Sequence, residues 1–192
     1  MKKSLLSLVF AAAMIVQANT QTNWVLDKTH SNIGFTVKHM VIAEVSGSFR
    51  DSEVKVSSTT EDFNGATIEF VAKTASIDTQ NEMRDGHLKG DDFFNAEKYP
   101  EIKFSGKLVK KGKDYSAVGK LTLRDVTKDV TLPVTYLGTV KTAQFTKAGF
   151  KINGSINRFD YNLKWNKTIE TGGMVVGEEV QLGANIELNL AK

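Results

Sequence analysis

Residues 180–190 read Val-Gln-Leu-Gly-Ala-Asn-Ile-Glu-Leu-Asn-Leu, and their alternation decides the fold class. Val180, Leu182, Ala184, Ile186, Leu188 and Leu190 share one parity; Gln181, Gly183, Asn185, Glu187 and Asn189 share the other. Successive side chains of a strand point to opposite faces, so this stretch builds one apolar face and one wet face.

The same period recurs upstream. Val130, Leu132, Val134 and Tyr136 repeat it, with Thr131, Pro133 and Thr135 opposite. Pro133 has no N–H to give a ladder, which favours an edge, a bulge or a strand end there. Further strands are expected at Ile33-Phe35-Val37, Val54-Val56, Ala66-Ile68-Phe70-Ala72, Ile102-Phe104-Gly106-Leu108, Leu121-Leu123 and Phe150-Ile152-Gly154-Ile156. The total is about eight or nine strands. Lys111-Gly112-Lys113-Asp114 has the form of a hairpin loop, Asn64-Gly65 is turn-prone, and Asn153-Gly154 inside a strand suggests a bulge. An antiparallel sheet of this size must close or stack to bury its apolar face, and the length of several strands favours a barrel. Its inward set mixes large residues (Phe35, Phe70, Phe104) with small ones (Ala72, Gly106, Gly154, Ala184). Either a packed core or an apolar tunnel fits that mixture.

One stretch breaks the pattern, between Ile77 and Pro100. Thr79-Gln80-Asn81-Glu82 has the spacing of a capping box with Thr79 as N-cap, predicting a helix from Gln80 to about Lys89 that ends near Gly90. Asp91 or Asp92 would cap a further turn through Phe93 and Phe94, at least one of which is expected at the barrel mouth.

The chain has 192 residues, 25 Lys+Arg, 22 Asp+Glu and no Cys, for a formal charge of +3. Without Cys there is no disulfide scaffold, Cys zinc site, iron–sulfur cluster or thiol nucleophile. The small charge gives no case for nucleic acid as a partner. Lys2 and Lys3 precede an apolar run from Leu5 to Val16, and Val16-Gln17-Ala18 puts small side chains where a signal peptidase reads. That run is about 12 residues, against roughly 20 for a membrane span. The expectation is a signal peptide over 1–18, a barrel domain over 19–192, and a periplasmic or secreted protein.

Three His invite a metal reading, but His30 and His39 are far apart along one strand and no two His have ligand spacing, so no metal or other cofactor is expected. Arg84 and His87 share a helical face, with Asp85 turned away. Such a cluster can pin a loop or meet a ligand's polar end, and with His30 it offers an acid–base alternative. Arg158 shares parity with Ile156 and points inward, so it needs a partner: Asp160, a stacking contact with Trp24, or a ligand head. The lysines at 107, 110, 111 and 113 fit a solvated turn, with at most a transient contact with an anionic membrane.

Several motifs together resemble a known family. Trp24-x-x-Asp27-x-x-His30-Ser31-x-Ile33-x-Phe35-x-Val37 opens the series. Ser76-Ile77-Asp78-Thr79, Arg84-Asp85-x-His87-Leu88, Asp92-Phe93-Phe94 and Tyr99-Pro100-x-Ile102-x-Phe104 follow. Gly119-x-Leu121-Thr122, Val126-Thr127-Lys128, Val130-Thr131-Leu132, Arg158-Phe159-Asp160 and Val176-Gly177-x-x-Val180 complete it. The pattern resembles the YceI-like, or polyisoprenoid-binding, family of exported bacterial proteins. Asp125 stands where that family usually has Gly. The resemblance implies an all-β, eight-stranded antiparallel lipocalin-like barrel with one or two short helices in the 78–99 connection. It implies a long amphiphilic ligand, an isoprenoid, isoprenoid quinone or fatty acid or amide, and no catalysis. Phe35, Phe70, Phe93, Phe94, Phe104, Leu121 and Ile156 would line the tunnel, with Arg84 and His87 by its polar end. The competing readings are a lipid-acting enzyme using His30, Asp85 and His87, and a ligand-free envelope stress protein. A homodimer through an exposed edge is left open.

Overall fold

The computed structural model describes residues 20–168 and 172–191. The expected signal segment, 1–18, lies outside the described residues. The elements are β1 (Thr22–Leu26), β2 (Asn32–His39), β3 (Ala43–Phe49), β4 (Ser52–Ser58), β5 (Thr67–Lys73), β6 (Ile77–Asp78), α1 (Glu82–Lys89), β7 (Glu101–Lys111), β8 (Asp114–Leu123), β9 (Val126–Lys141), β10 (Thr146–Asn157) and β11 (Val176–Leu190). Short 3₁₀ turns occupy Thr74–Ser76 and Arg158–Tyr161.

These segments form a closed eight-stranded antiparallel barrel. β1 and β2 are two halves of one bent stave, and β3 with β4 are two halves of the next: β1 pairs with β4 while β2 pairs with β3. β5 and β6 continue each other in the same way, pairing with β4 and β3. The remaining staves follow in chain order through β7, β8, β9, β10 and β11, and β11 closes the wall by pairing with both β1 and β2. Every connection joins neighbouring strands, so the topology is a meander.

The expected strands all occur, and the alternation of burial follows their parity. In β4 the pattern strictly alternates over Ser52–Val56, with Val54 and Val56 inward. In β11, Ile186 and Leu188 are buried, whereas Glu187 between them carries part of its side chain outside. The Gly112–Lys113 turn links β7 to β8, with Gly112 at φ +63°. Pro133 lies beyond the last β9–β10 pair, Ile152↔Val134, while β9 stays paired to β8 on its other side. The missing N–H marks where that ladder parts. The bulge expected at Asn153-Gly154 is elsewhere: β10 runs in regular register with β11 through both residues, and the irregularity falls at Gly149/Phe150 against β9. Leu132 fills the space beside Gly154, since a Cβ there would meet Leu132 Cδ2 at 2.7 Å.

The barrel is plugged at one end and capped by loops at the other. At the plugged end Phe63, 1% exposed, sits 5.1 Å from Trp24, 5.1 Å from Phe150 and 5.6 Å from Tyr136, ring centre to ring centre. The Phe63 loop is tied down by Lys110 on Asp62 (2.8 Å) and by the Tyr115 hydroxyl donating to the Asp62 carbonyl (3.0 Å). The run of lysines from 107 to 113 therefore lies at this end.

The other end carries α1, the following turns and residues 158–168 and 172–175. Here the sequence reading is corrected in two details. The N-cap is Asn81, whose side chain accepts from the Arg84 N–H at 3.0 Å, and not Thr79. Thr79 is held by Asp85, which accepts from its N–H (2.9 Å) and hydroxyl (2.5 Å), while Gln80 turns the chain at φ +61°. The segment through Phe93 and Phe94 is a string of turns rather than a second helix.

Candidate ligand cavity

The barrel encloses an apolar cavity of about 250 Å³. Its walls come from β2, β3, β4, β5, β7, β8, β9, β10 and β11, and its loop end from Leu88, Phe93, Phe94 and Leu163. Phe35, Phe70, Phe104, Leu121 and Ile156 face it from the strands, and Phe93 and Phe94 from the connection. Of the small residues expected to leave gaps, Ala184 lines it, whereas Ala72, Gly106 and Gly154 are outside the lining. Gly106 and Gly119 face each other across β7 and β8 with no room for a Cβ, which at Gly106 would meet Gly119 Cα at 2.8 Å. They set strand approach rather than cavity volume.

Phe49 is a wall residue that the strand reading passed over. Its ring centre lies 6.0 Å from Phe35 and 6.0 Å from Phe94, edge-on to the latter, so it links the wall to the loop cap. Val45-Gly47-Phe49 alternates, and that signal was available. Trp165 is another omission: it packs 5.2 Å from Phe93 and 5.2 Å from His87.

Arg158 is the charged residue of the lining and is only 3% exposed. Its partners are neither of those expected. Asp160 pairs with Lys128 at 3.1 Å, and Trp24 lies at the plugged end. Instead the guanidinium donates to the carbonyls of Gly177 (2.8 Å), Leu163 (2.5 Å), Trp165 (2.8 Å) and Val176 (3.0 Å), and stacks 4.4 Å from the Phe159 ring. Burial lowers its pKa, and Glu178 partly opposes that shift. The cage joins the end of β10 to the start of β11.

Arg84 and His87 are not among the residues lining the cavity. Arg84 donates through Nε to the Thr79 hydroxyl and through a terminal N–H to the Thr79 carbonyl, both at 2.7 Å. His87 is paired with Asp92 at 2.9 Å and is half exposed. Asp85 is bound to Thr79, so the cluster pins the turn into α1. His30 stands elsewhere, beside Asp27 (3.1 Å), the Thr29 hydroxyl (3.0 Å) and Glu187 (3.8 Å). The acid–base constellation of His30, Asp85 and His87 is therefore not assembled by any contact among the described residues.

Asp27, His30 and Glu187 bring possible ligand atoms within 4.8 Å of one another. A cation already lies among them: Lys147 Nζ is 2.8 Å from Asp27 and 2.5 Å from Glu187. The hydrogen bond from Lys147, then those from Thr29 and His30, hold the Asp27 carboxyl far below its ordinary 3.8. A lowered native pKa adds stability above the ordinary value and loses it as pH falls toward the native one. Asp27→Asn is expected to destabilise the barrel by about 1 kcal/mol near neutral pH. The gap to the unsubstituted protein should begin to narrow below about pH 4 and shrink further as pH falls toward the native value. Urea midpoints measured across that range check it; a gap independent of pH would contradict this account.

Arg124 was not singled out in the sequence. It occupies the turn between β8 and β9 at φ +52°, and its side chain reaches the carbonyls of Phe93 (2.5 Å), Asp91 (3.2 Å) and Asn162 (3.3 Å). The neighbouring Asp125 accepts from Asn162 at 3.3 Å, so the position where Gly was expected serves as a second tie to the same loop.

A closed meander barrel with an apolar interior and a loop-capped end is the architecture of proteins that enclose a hydrophobic ligand. The YceI-like domain profile matches residues 24–188, and the chain belongs to the YceI-like family. It is 34% identical over 175 residues to UPF0312 protein SA2479 of Staphylococcus aureus (strain N315), covering 89% of this chain and 99% of that protein. The crystal structure of the Campylobacter jejuni YCEI protein is 32% identical, with a TM-score of 0.70 over 87% of this chain and 97% of that one. A polyisoprenoid binding domain from Saccharophagus degradans, implicated in plant cell wall breakdown, shares the fold at 17% identity, with a TM-score of 0.60 over 88% and 98%.

Proposed function

We propose that this is an exported lipid-binding protein that sequesters or carries a long-chain amphiphile, an isoprenoid or fatty chain, inside the barrel. The observation that carries the reading is the apolar cavity of about 250 Å³, in which Arg158 is the sole charged lining residue among the described residues and is already engaged by carbonyls. Such a space rewards apolar surface taken from water. Phe35, Phe70, Phe104, Leu121 and Ile156 would hold the chain, and Phe93 and Phe94 would close over it. The fold shared with the Saccharophagus polyisoprenoid binding domain agrees with that ligand class. The Lys2–Lys3 start, the Leu5–Val16 run and Ala18 support export to the periplasm or beyond.

Native mass spectrometry of the protein purified from its own cell envelope tests this. An added mass that leaves with organic solvent supports the carrier; an unliganded mass with no uptake of added prenols or fatty amides overturns it. N-terminal sequencing of the same sample tests cleavage after Ala18. Arg124 should govern residence time, because it holds the Phe93 segment from a neighbouring turn. Arg124→Ala is expected to raise the dissociation rate of a bound prenol by about tenfold with a smaller change in association rate. Stopped-flow displacement measures both; an unchanged dissociation rate would remove Arg124 from the closure.

A further inference from the structure

The ladder of the barrel wall is interrupted on one side. The β1–β4 ladder ends at Val25↔Lys55 and the β2–β3 ladder begins only at Gly34↔Ser48. Between them the two bent staves part. The opening measures about 400 Å³ and shares Ile33 and Phe49 with the apolar cavity. It is a polar pocket beside the apolar chamber, on the side of the barrel rather than at its end.

Its lining is polar. Asn32, Ser48, Ser52 and Gln80 border it, and among the described residues none of the four makes a side-chain hydrogen bond to protein. Ser52 is 8% exposed, and its hydroxyl, open to the pocket, has no protein partner among the described residues. Polar groups in that position gain when a ligand supplies the missing partners. Ser31 is already engaged by the backbone of Glu187.

The charges sort the ligand chemistry. Lys28 and Arg50 line the rim, but Lys28 pairs with Asp51 at 3.2 Å and Arg50 pairs with Asp78. The rim is therefore electrically balanced. An anionic head would compete with Asp51 and Asp78 for these two cations, whereas an uncharged head meets donors and acceptors that no protein group holds. We propose that this side opening seats the ligand's polar head, and that the head is neutral: a hydroxyl, carbonyl or amide rather than a phosphate or carboxylate. The proposal rests on the lipid-binding reading and adds to it the place and chemistry of the head.

The test uses the whole protein and three probes with one chain: farnesol, farnesyl phosphate and the parent hydrocarbon farnesane. Farnesol is expected to bind at least about tenfold more tightly than farnesane and no more weakly than farnesyl phosphate. Ser48→Ala with Ser52→Ala should remove most of farnesol's advantage while leaving farnesane binding unchanged. Gln80→Gly, at a residue whose positive φ suits Gly, should reduce the advantage by itself. Farnesyl phosphate binding tightest, with that preference lost in Arg50→Gln, would overturn the neutral head. A farnesol advantage that survives all these substitutions would place the head elsewhere. Binding of no probe would instead overturn the lipid-binding reading itself, which separates the two failures.

Discussion

Ala184→Phe should empty the barrel of its ligand without unfolding it. Ala184 lines the cavity from β11, in register with Ile33 on one side and Ile152 on the other. A phenyl ring there grows into free space instead of into packed atoms, and it leaves no polar group unpaired. Retention of a prenol or fatty amide is expected to fall by at least about 100-fold. Thermal stability should hold or rise, because the new ring buries apolar area in the space the ligand vacates. Overpacking would show as a lower melting temperature, in which case Ala184→Leu gives the smaller step. Native mass spectrometry and a melting curve on the same sample separate the outcomes. A variant that melts normally and still carries its ligand would mean that the ligand does not occupy this chamber.

Arg158→Met is the second large effect, and it acts on stability. Removing the guanidinium strands the carbonyls of Gly177, Leu163, Trp165 and Val176 at a point where the side chain is 3% exposed. The loss is expected to be about 3–5 kcal/mol, or roughly 10 °C in melting temperature for a chain of this size. Arg158→Lys should recover less than half of it, because one ammonium cannot copy a planar fork. If Arg158 served mainly to hold a ligand head, the unliganded Met variant would melt normally and only binding would fall.

These expectations show where the sequence was informative. Parity placed Phe35, Phe70, Phe104 and Leu121 on the cavity wall because a half-buried strand writes its two faces into alternate residues. The same signal put Arg158 inside. It could not reveal the cage, since main-chain carbonyls of residues remote in sequence carry no side-chain signature. Arg84 and His87 lie outside the cavity lining for a related reason. Helical spacing tells which residues share a face, but Arg84 folds back onto Thr79 and His87 onto Asp92, and those contacts depend on the turn preceding α1 and the turns after it. The side opening was hidden because it arises where two adjacent staves bend together, near Asp27–Ser31 and Arg50–Asp51. Neither segment announces the other.

The wall closes by pairing Trp24 with Leu190, so the first strand waits for the last. That has a kinetic cost. Contacts between chain ends demand the largest loop-closure entropy and form late, which makes such barrels slow folders. β11 is also the partner of β10, β1 and β2 at once, so a chain lacking it keeps three strands with open edges. A nascent or truncated chain therefore stays unclosed and adhesive until its final fifteen-residue strand arrives. Were the chain exported as proposed, this delay would favour its passage across a membrane before it folds.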